Sequence, residues 1–230
     1  NKLKNKESIP FSKILLTFDD GLNSQYETAK PVLDKYKIKS FWFIYTKIFE
    51  NNFDFNELLN FFITRYYSNF DNFFNKFLLF CKDVEHYWGS NDYKIYSKNL
   101  YSKFNFYSES DMRFRFLRNR ILSNEKFQEI VIKLFESEDF KHIDISKKLW
   151  LNEYKLKHLV DQGHEIGLHS HNHPYLISKY SKSKQFDEYK TNFDILKSIT
   201  NIKPISVAYP LGIYNNDTLA IMNELKIKIG

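Results

Sequence analysis

Two adjacent carboxylates, Asp19 and Asp20, stand where the apolar run Ile14-Leu15-Leu16-Thr17-Phe18 stops, and Gly21 follows them. Far along the chain, the stretch from Gly163 to Pro174 holds four of the seven histidines: His164, His169, His171 and His173. His169 and His173 are four residues apart, so one helical turn, or a loop that imitates it, aims both imidazoles at one point. An aspartate from elsewhere would complete a facial site for a divalent ion. One Asp and two His leave coordination positions open for water and substrate, which suits catalytic rather than structural zinc. Each cluster also has a plainer reading. Asp-Gly is a common turn, with Asn23 or Ser24 capping the helix after it, and histidines occur incidentally in surface loops.

The elements that must position these residues follow from spacing. A buried strand carrying Ile14, Leu15, Leu16 and Phe18 delivers the two aspartates to its C-terminal end, where parallel α/β folds keep their chemistry. Gly21 then lets the backbone turn sharply. Tyr26, Ala29, Val32, Leu33 and Tyr36 recur at helical spacing, with Pro31 near the helix start or kinking it. Residues 40–45 (Ser-Phe-Trp-Phe-Ile-Tyr) read as a fully buried strand, which closes a right-handed strand-helix-strand unit. Near the other cluster, Tyr154, Leu156, Leu159 and Val160 fit a helix ending before Gly163, and residues 165–168 form a strand that leads to His169. A helix over 185–199 with Phe186, Tyr189, Phe193 and Leu196 on one side precedes a strand over 205–208, and a last helix covers 218–225. That strand runs into Tyr209-Pro210-Leu211-Gly212, a third strand end marked by unusual residues.

With the three clusters in this order, the chain resembles the NodB-homology polysaccharide deacetylases, carbohydrate esterase family four. Their signatures are TFDDG, H-[ST]-x-x-H-P and R-x-P-[YF]-G. The first two match fully, as Thr17 to Gly21 and as His169-Ser170-x-x-His173-Pro174. The third matches only as Tyr209-Pro210-x-Gly212, with Ala208 where many members have an arginine that orients the base. The resemblance covers roughly residues 13–50 and 147–230. It implies an α/β fold, a distorted and incomplete (β/α) barrel; spacing by itself also allows a doubly wound open sheet. It further implies metal-assisted removal of N-acetyl groups from an amino sugar. Asp20, His169 and His173 would hold Zn²⁺ or another divalent cation such as Co²⁺, Asp19 would be the general base, and the backbone at Tyr209 and Pro210 would support the substrate oxyanion. In the family a histidine from a later motif protonates the leaving group, and no counterpart is identifiable before Gly230. The expectation is therefore slow turnover in these 230 residues and faster turnover in a longer chain. A deformylase acting on a lipid-linked sugar, or an inactive glycan-binding or assembly protein, would keep the same residues.

Between the two matching segments the resemblance lapses, and the chain reads as one domain over 1–230 with a helical insertion over 51–146. Residues 53–107 are dense in Phe and Tyr and contain a single glycine, Gly89. Leu58, Leu59, Phe62, Ile63 and Tyr66 form one helical face, and Phe70, Phe73, Phe74, Phe77 and Phe80 another. Residues 96–107 look less regular, 112–120 open another helical region, and 125–135 support one more. Core packing of a helical cap accounts for so many aromatics, with a sugar-stacking wall as the functional alternative.

Composition bounds the partners. A chain of 230 residues with 43% hydrophobic content buries a substantial core. The single cysteine, Cys81, excludes an intramolecular disulfide and a thiolate zinc cluster. The net charge of +6 is dispersed over single lysines, so no nucleic-acid module is indicated. The expected partner is an N-acetylated glycan or lipid-linked saccharide. No transmembrane run and no signal-peptide core are found, so the chain reads as cytoplasmic, with secretion or a membrane surface as alternatives; composition does not address oligomeric state.

Overall fold

The computed structural model describes residues 14–50, 55–174 and 176–230. The first four residues of the expected insertion, 51–54, and the polar start read for a leader lie outside the described residues. In chain order the elements are β1 (Thr17–Asp19), α1 (Asn23–Lys35), β2 (Phe41–Ile44), α2 (Phe55–Tyr66), α3 (Phe70–Leu78), α4 (Asn91–Lys103), α5 (Glu109–Phe116), α6 (Asn124–Ser137), α7 (His142–Leu149), α8 (Glu153–Asp161), β3 (Glu165–Leu168), α9 (Lys182–Thr200) and α10 (Asn216–Glu224). They fall into two compact units, Asn1–Phe53 with Lys147–Gly230, and Asp54–Ser146. Among the described residues no helix is long and apolar enough to cross a membrane.

The first unit holds a parallel sheet in the order β1-β2-β3. Its register pairs Asp19 with Phe43, Phe43 with Gly167, and Ile44 with Leu168, so the three strands end in one layer. Trp42, Ile44, Ile166 and Leu168 of the strands pack with Leu33 of α1, Leu156 and Leu159 of α8, and Tyr189, Leu196 and Ile199 of α9. The strands are apolar on successive residues because helices cover the sheet. At the opposite, N-terminal end of β2 and β3, the Trp42 indole N–H donates to Ser40 Oγ (2.9 Å). Ser40 in turn meets His164 Nδ1 through its hydroxyl (2.9 Å) and its backbone N–H (3.2 Å). With Nδ1 accepting, the imidazole is neutral, and burial pushes its pKa down to about 4, with the charges of Lys30 and Lys39 adding to the effect.

Two expectations about strands change. The apolar run before Asp19 is not buried: Ile14, Leu15 and Leu16 are 89%, 48% and 38% exposed. The strand itself spans Thr17–Asp19, and among the described residues β1 has a strand, β2, on one flank alone. The strand expected over 205–208 is reduced to single bridges, Leu168 with Val207 and Ser206 with Ile229. The backbone nonetheless follows β3 there, through Leu168 N–H to Ser206 O (2.8 Å) and Ala208 N–H to Leu168 O (2.9 Å). The helices sit close to the expected positions, but Asn23 and Ser24 do not cap α1; the capping position is Leu22, with no side-chain bond.

The second unit is helical and packs on phenylalanine. Phe62 meets Phe135 and Phe140 at ring separations of 4.9 and 5.0 Å, and Phe114 meets Phe73 and Phe77 at 5.4 and 5.1 Å. Side-chain caps from Asn69, Ser90, Ser108 and Ser123 start four of its helices. Residues 96–107, expected to be less regular, mostly continue α4 as far as Lys103, because the Ser90 cap starts a helix whose Tyr93 is buried.

Two measurements check this account. A Cβ at Gly167 would lie 2.5 Å from Ser206 Oγ and 2.6 Å from the Phe43 ring, so Gly167→Ala must push β3 away from β2. It is expected to lower stability by ~1–3 kcal/mol in urea denaturation. His164 binds a proton at about pH 6.5 when unfolded and only near pH 4 when folded. Stability contributed by the neutral imidazole is therefore present above pH 6.5 and lost as pH falls toward 4, by ~3 kcal/mol in all. His164→Gln, which cannot titrate, is expected to show a flatter stability profile across that window.

Candidate metal centre and active site

The layer formed by the strand ends brings the chemistry together. After β1, Asp20 and Gly21 both take left-handed backbone angles (φ 69° and 66°) and turn the chain off the sheet edge. Aspartate tolerates that conformation, and at Gly21 an added Cβ would also press on the Ile44 side chain at 3.2 Å. The turn is pinned from outside by Leu151 N–H donating to Gly21 O (2.8 Å) and by a bridge between Leu22 and Trp150. After β3, Ser170 and His173 are left-handed too (φ 61° and 52°), and the Ser170 hydroxyl accepts from His173 N–H at 3.1 Å. Three left-handed side-chain-bearing residues within two short loops are a concentration of strain of the kind found at functional sites.

Asp20 Oδ1 lies 3.3 Å from His169 Nε2 and 3.4 Å from His173 Nε2. Among the described residues this is the one group of His, Cys, Asp or Glu side chains that could share an ion. Ligands ~2.1 Å from a tetrahedral ion stand about 3.4 Å apart, so the spacing fits. The His169 tautomer points the same way. Its Nδ1–H donates to the Ala208 carbonyl at 2.8 Å, which leaves a lone pair on Nε2 facing a carboxylate oxygen. Two acceptors facing each other need a cation or a proton between them. Asp20 Oδ1 and Asp19 Oδ1 are both buried without a hydrogen-bond partner, as expected where a positive charge is to be received. The donor set therefore fits a divalent cation. The His169 side chain is 3% exposed, whereas those of His173 and Asp20 are 21% and 28% exposed, so the triad is closed behind and open in front.

The two aspartates differ electrostatically. Burial raises the Asp19 carboxyl above its ordinary value; His169 and His173 oppose this, while the charge of Asp20 adds to it. Burial acts on Asp20 as well, but its contact with His169 and the charge of His173 outweigh it and hold the carboxyl low.

Of the other sequence-level candidates, Tyr209 and Pro210 follow Ala208, the residue whose carbonyl orients His169. The Tyr209 ring lies tilted against Tyr214 at 4.7 Å, and Pro210 is buried at the start of a short 3₁₀ turn in which Leu211 is left-handed (φ 56°). Two histidines stay out of the triad. His171 Nδ1 meets Thr46 Oγ1 at 2.9 Å and its Nε2 lies 3.5 Å from Glu50, and His164 belongs to the Ser40 network at the far end of the strands. The sequence reading missed Asn192 and Glu188 of α9. Asn192 Oδ1 accepts from His169 N–H (2.9 Å), and Glu188 accepts from both the backbone and the side chain of Asn172 (2.9 and 2.8 Å). The available signal was polar residues at 185, 188 and 192, which share a helical face with Tyr189, Leu196 and Ile199.

The sequence profile of the polysaccharide deacetylase family matches residues 6–65 and 131–230, well over half of the chain, and both matched segments carry triad residues. The chain belongs to the polysaccharide deacetylase family. No curated protein matches it in sequence. Among solved structures, it is similar to the Streptococcus pyogenes deacetylase PplD in complex with acetate, with a TM-score of 0.53 and 20% identity over 100% of this chain and 59% of that one. It is also similar to the BpsB deacetylase domain from Bordetella bronchiseptica, with a TM-score of 0.51 and 14% identity over 98% of this chain and 66% of that one. The chain thus spans about six tenths of the first of these relatives. These likenesses establish the fold, an incomplete (β/α) barrel of the NodB type with a small parallel sheet and many helices. The polysaccharide deacetylase profile skips residues 66–130, which lie within the helical unit.

Proposed function

We propose that this polysaccharide deacetylase family member removes N-acetyl groups from an amino sugar in a polysaccharide or glycan precursor. Asp20, His169 and His173 would hold Zn²⁺ or a similar ion such as Co²⁺, and residues 51–146 would be an insertion into the deacetylase domain. The observation that carries this reading is Asp20 Oδ1 standing 3.3 and 3.4 Å from two imidazole Nε2 atoms, with a second carboxylate, Asp19, beside it in sequence.

A divalent cation bound there lowers the pKa of a water and polarises the acetyl carbonyl. The protein does the rest. Asp19 accepts the proton of the attacking water, and because its Oδ1 is buried without a partner, that oxygen is available to receive it. The new carbon–oxygen bond forms as charge moves to the carbonyl oxygen, where the backbone N–H of Tyr209, just before Pro210, supports it. The C–N bond then breaks, the acyl group leaves as acetate carrying the new oxygen, and the amine departs with a proton drawn from solvent, to which Asp19 returns the one it took. His169 keeps its ring orientation throughout because Ala208 O holds its Nδ1–H.

Elemental analysis and calorimetric titration of the purified chain are expected to give one Zn²⁺ per chain. The His169→Ala/His173→Ala double variant is expected to lose it and His171→Ala to keep it; metal that persists in the double variant contradicts the site. The adjacent carboxylates should fail differently. Asp19→Asn is expected to keep the metal and lose ~10²–10⁴-fold in acetate release from N-acetylated saccharides, whereas Asp20→Asn loses the metal itself. Equal metal loss in both overturns the division of roles, and formate rather than acetate from formylated substrates overturns the choice of acyl group.

A further inference from the structure

We propose that Asn192 and Glu188 of α9 are positioning residues that hold the His169–His173 loop in its ligating shape, an inference that rests on the metal reading of that loop. The two side chains do separate jobs. Asn192 is fully buried, and its one amide joins the ends of two strands: Oδ1 accepts from His169 N–H (2.9 Å), while Nδ2 donates to Ile44 O (2.9 Å) and Thr46 Oγ1 (3.2 Å). The orientation of the amide is forced. Reversed, it would set an oxygen against the Ile44 carbonyl and an N–H₂ against the His169 N–H. Asn192 therefore fixes where the chain leaves β3, at the first histidine. Glu188, 7% exposed and one turn earlier, fixes where the loop closes. Its two oxygens accept from Asn172 N–H (2.9 Å) and Asn172 Nδ2 (2.8 Å), immediately before His173.

The placement of polarity along α9 argues against simple packing. Gln185, Glu188, Tyr189, Asn192, Leu196 and Ile199 are the residues this helix buries. Past the loop the stripe is apolar, and alongside the loop it carries Glu188 and Asn192. Burying an amide and a carboxylate is costly unless each is fully hydrogen-bonded, and both are bonded mainly to the loop and to the adjoining strand ends. Neither touches Asp20. Their effect reaches the ion only through the placement of His169 and His173, as with the outer partners of metal ligands generally.

The experiment compares Asn192→Leu, Glu188→Leu, Glu188→Gln and a control, Ile199→Ala, which removes core packing from the same helix away from the loop. Zn²⁺ titration is expected to show Kd raised about 10–100-fold in the two leucine variants. The Co²⁺-loaded forms of these variants should have altered visible spectra. Glu188→Gln is expected to stay close to wild type, because its Oε1 can accept from Asn172 N–H and its Nε2 can donate to a rotated Asn172 amide. Ile199→Ala is expected to lower Tm with Kd unchanged. A second readout needs no metal: hydrogen exchange of the 168–174 segment in the metal-free chain should speed up in Asn192→Leu and Glu188→Leu and not in Ile199→Ala. Unchanged exchange and Kd in the leucine variants, or a Kd that simply follows Tm across all four, overturns the proposal. A wild-type chain that takes up no Zn²⁺, with exchange still faster in the leucine variants, instead overturns the metal reading and leaves the clamp standing.

Discussion

Phe43 sits between Asp19 on one side and Gly167 on the other in a parallel register, and the site depends on that alignment. Parallel strands that start level and have similar lengths end level, so the residues after Asp19, Ile44 and Leu168 emerge along one edge. A one-residue slip in any strand would turn its side chains to the opposite face and carry an aspartate or histidine away from its partners. Gly167 helps to enforce the register. The Phe43 ring and the Ser206 hydroxyl occupy the space that any side chain at position 167 would need.

The strand ends are then held by polar contacts that pull against the general economy of a core. Asn192, Ser170 and His169 are buried, and each has its hydrogen bonds committed to loop backbone or strand ends. Asp20, Ser170 and His173 are held in left-handed conformations that side-chain-bearing residues rarely adopt. Such a loop keeps its shape only if its surroundings over-determine it, and α9, the Ala208 carbonyl and the Gly21 turn supply the constraints. Asp20 Oδ1 is set against two imidazole nitrogens in this layer, and it and Asp19 Oδ1 are buried carboxylate oxygens without a hydrogen-bond partner.

The helical unit follows a different logic. Among the described residues it has no sheet to set a register, and its packing is dominated by pairs of phenylalanine rings at 4.8–6.3 Å in tilted and edge-on arrangements. Many ring pairs satisfy such geometry, so the helices are specified by their caps and apolar stripes more than by any single contact. Within this unit Arg113 and Arg115 lie over the Trp88 and Tyr107 rings at 5.2 and 4.1 Å, so part of its positive charge is spent on aromatic faces.

Local chemistry made part of this protein legible in one dimension. Thr17 to Gly21 and His169 to Pro174 stand out in the sequence because carboxylates and imidazoles are the donor types a metal site would need, and few other residue types supply them. The helices were readable because burial on one face imposes a period on apolar residues, and β2 and β3 because short unbroken apolar runs suit strands covered on both faces. Tertiary structure alone decided that Ile14, Leu15 and Leu16 are exposed, since an apolar run looks the same whether it is flanked by one strand or two. It also decided that the stretch over 205–208 makes only single bridges, because pairing depends on how far the neighbouring backbone follows it. Above all, it decided the work of Asn192 and Glu188. A polar residue on a helix face reads as solvent-exposed until the fold places carbonyls and N–H groups against it, and the partners here come from Ile44, Thr46, His169 and Asn172, far away in sequence.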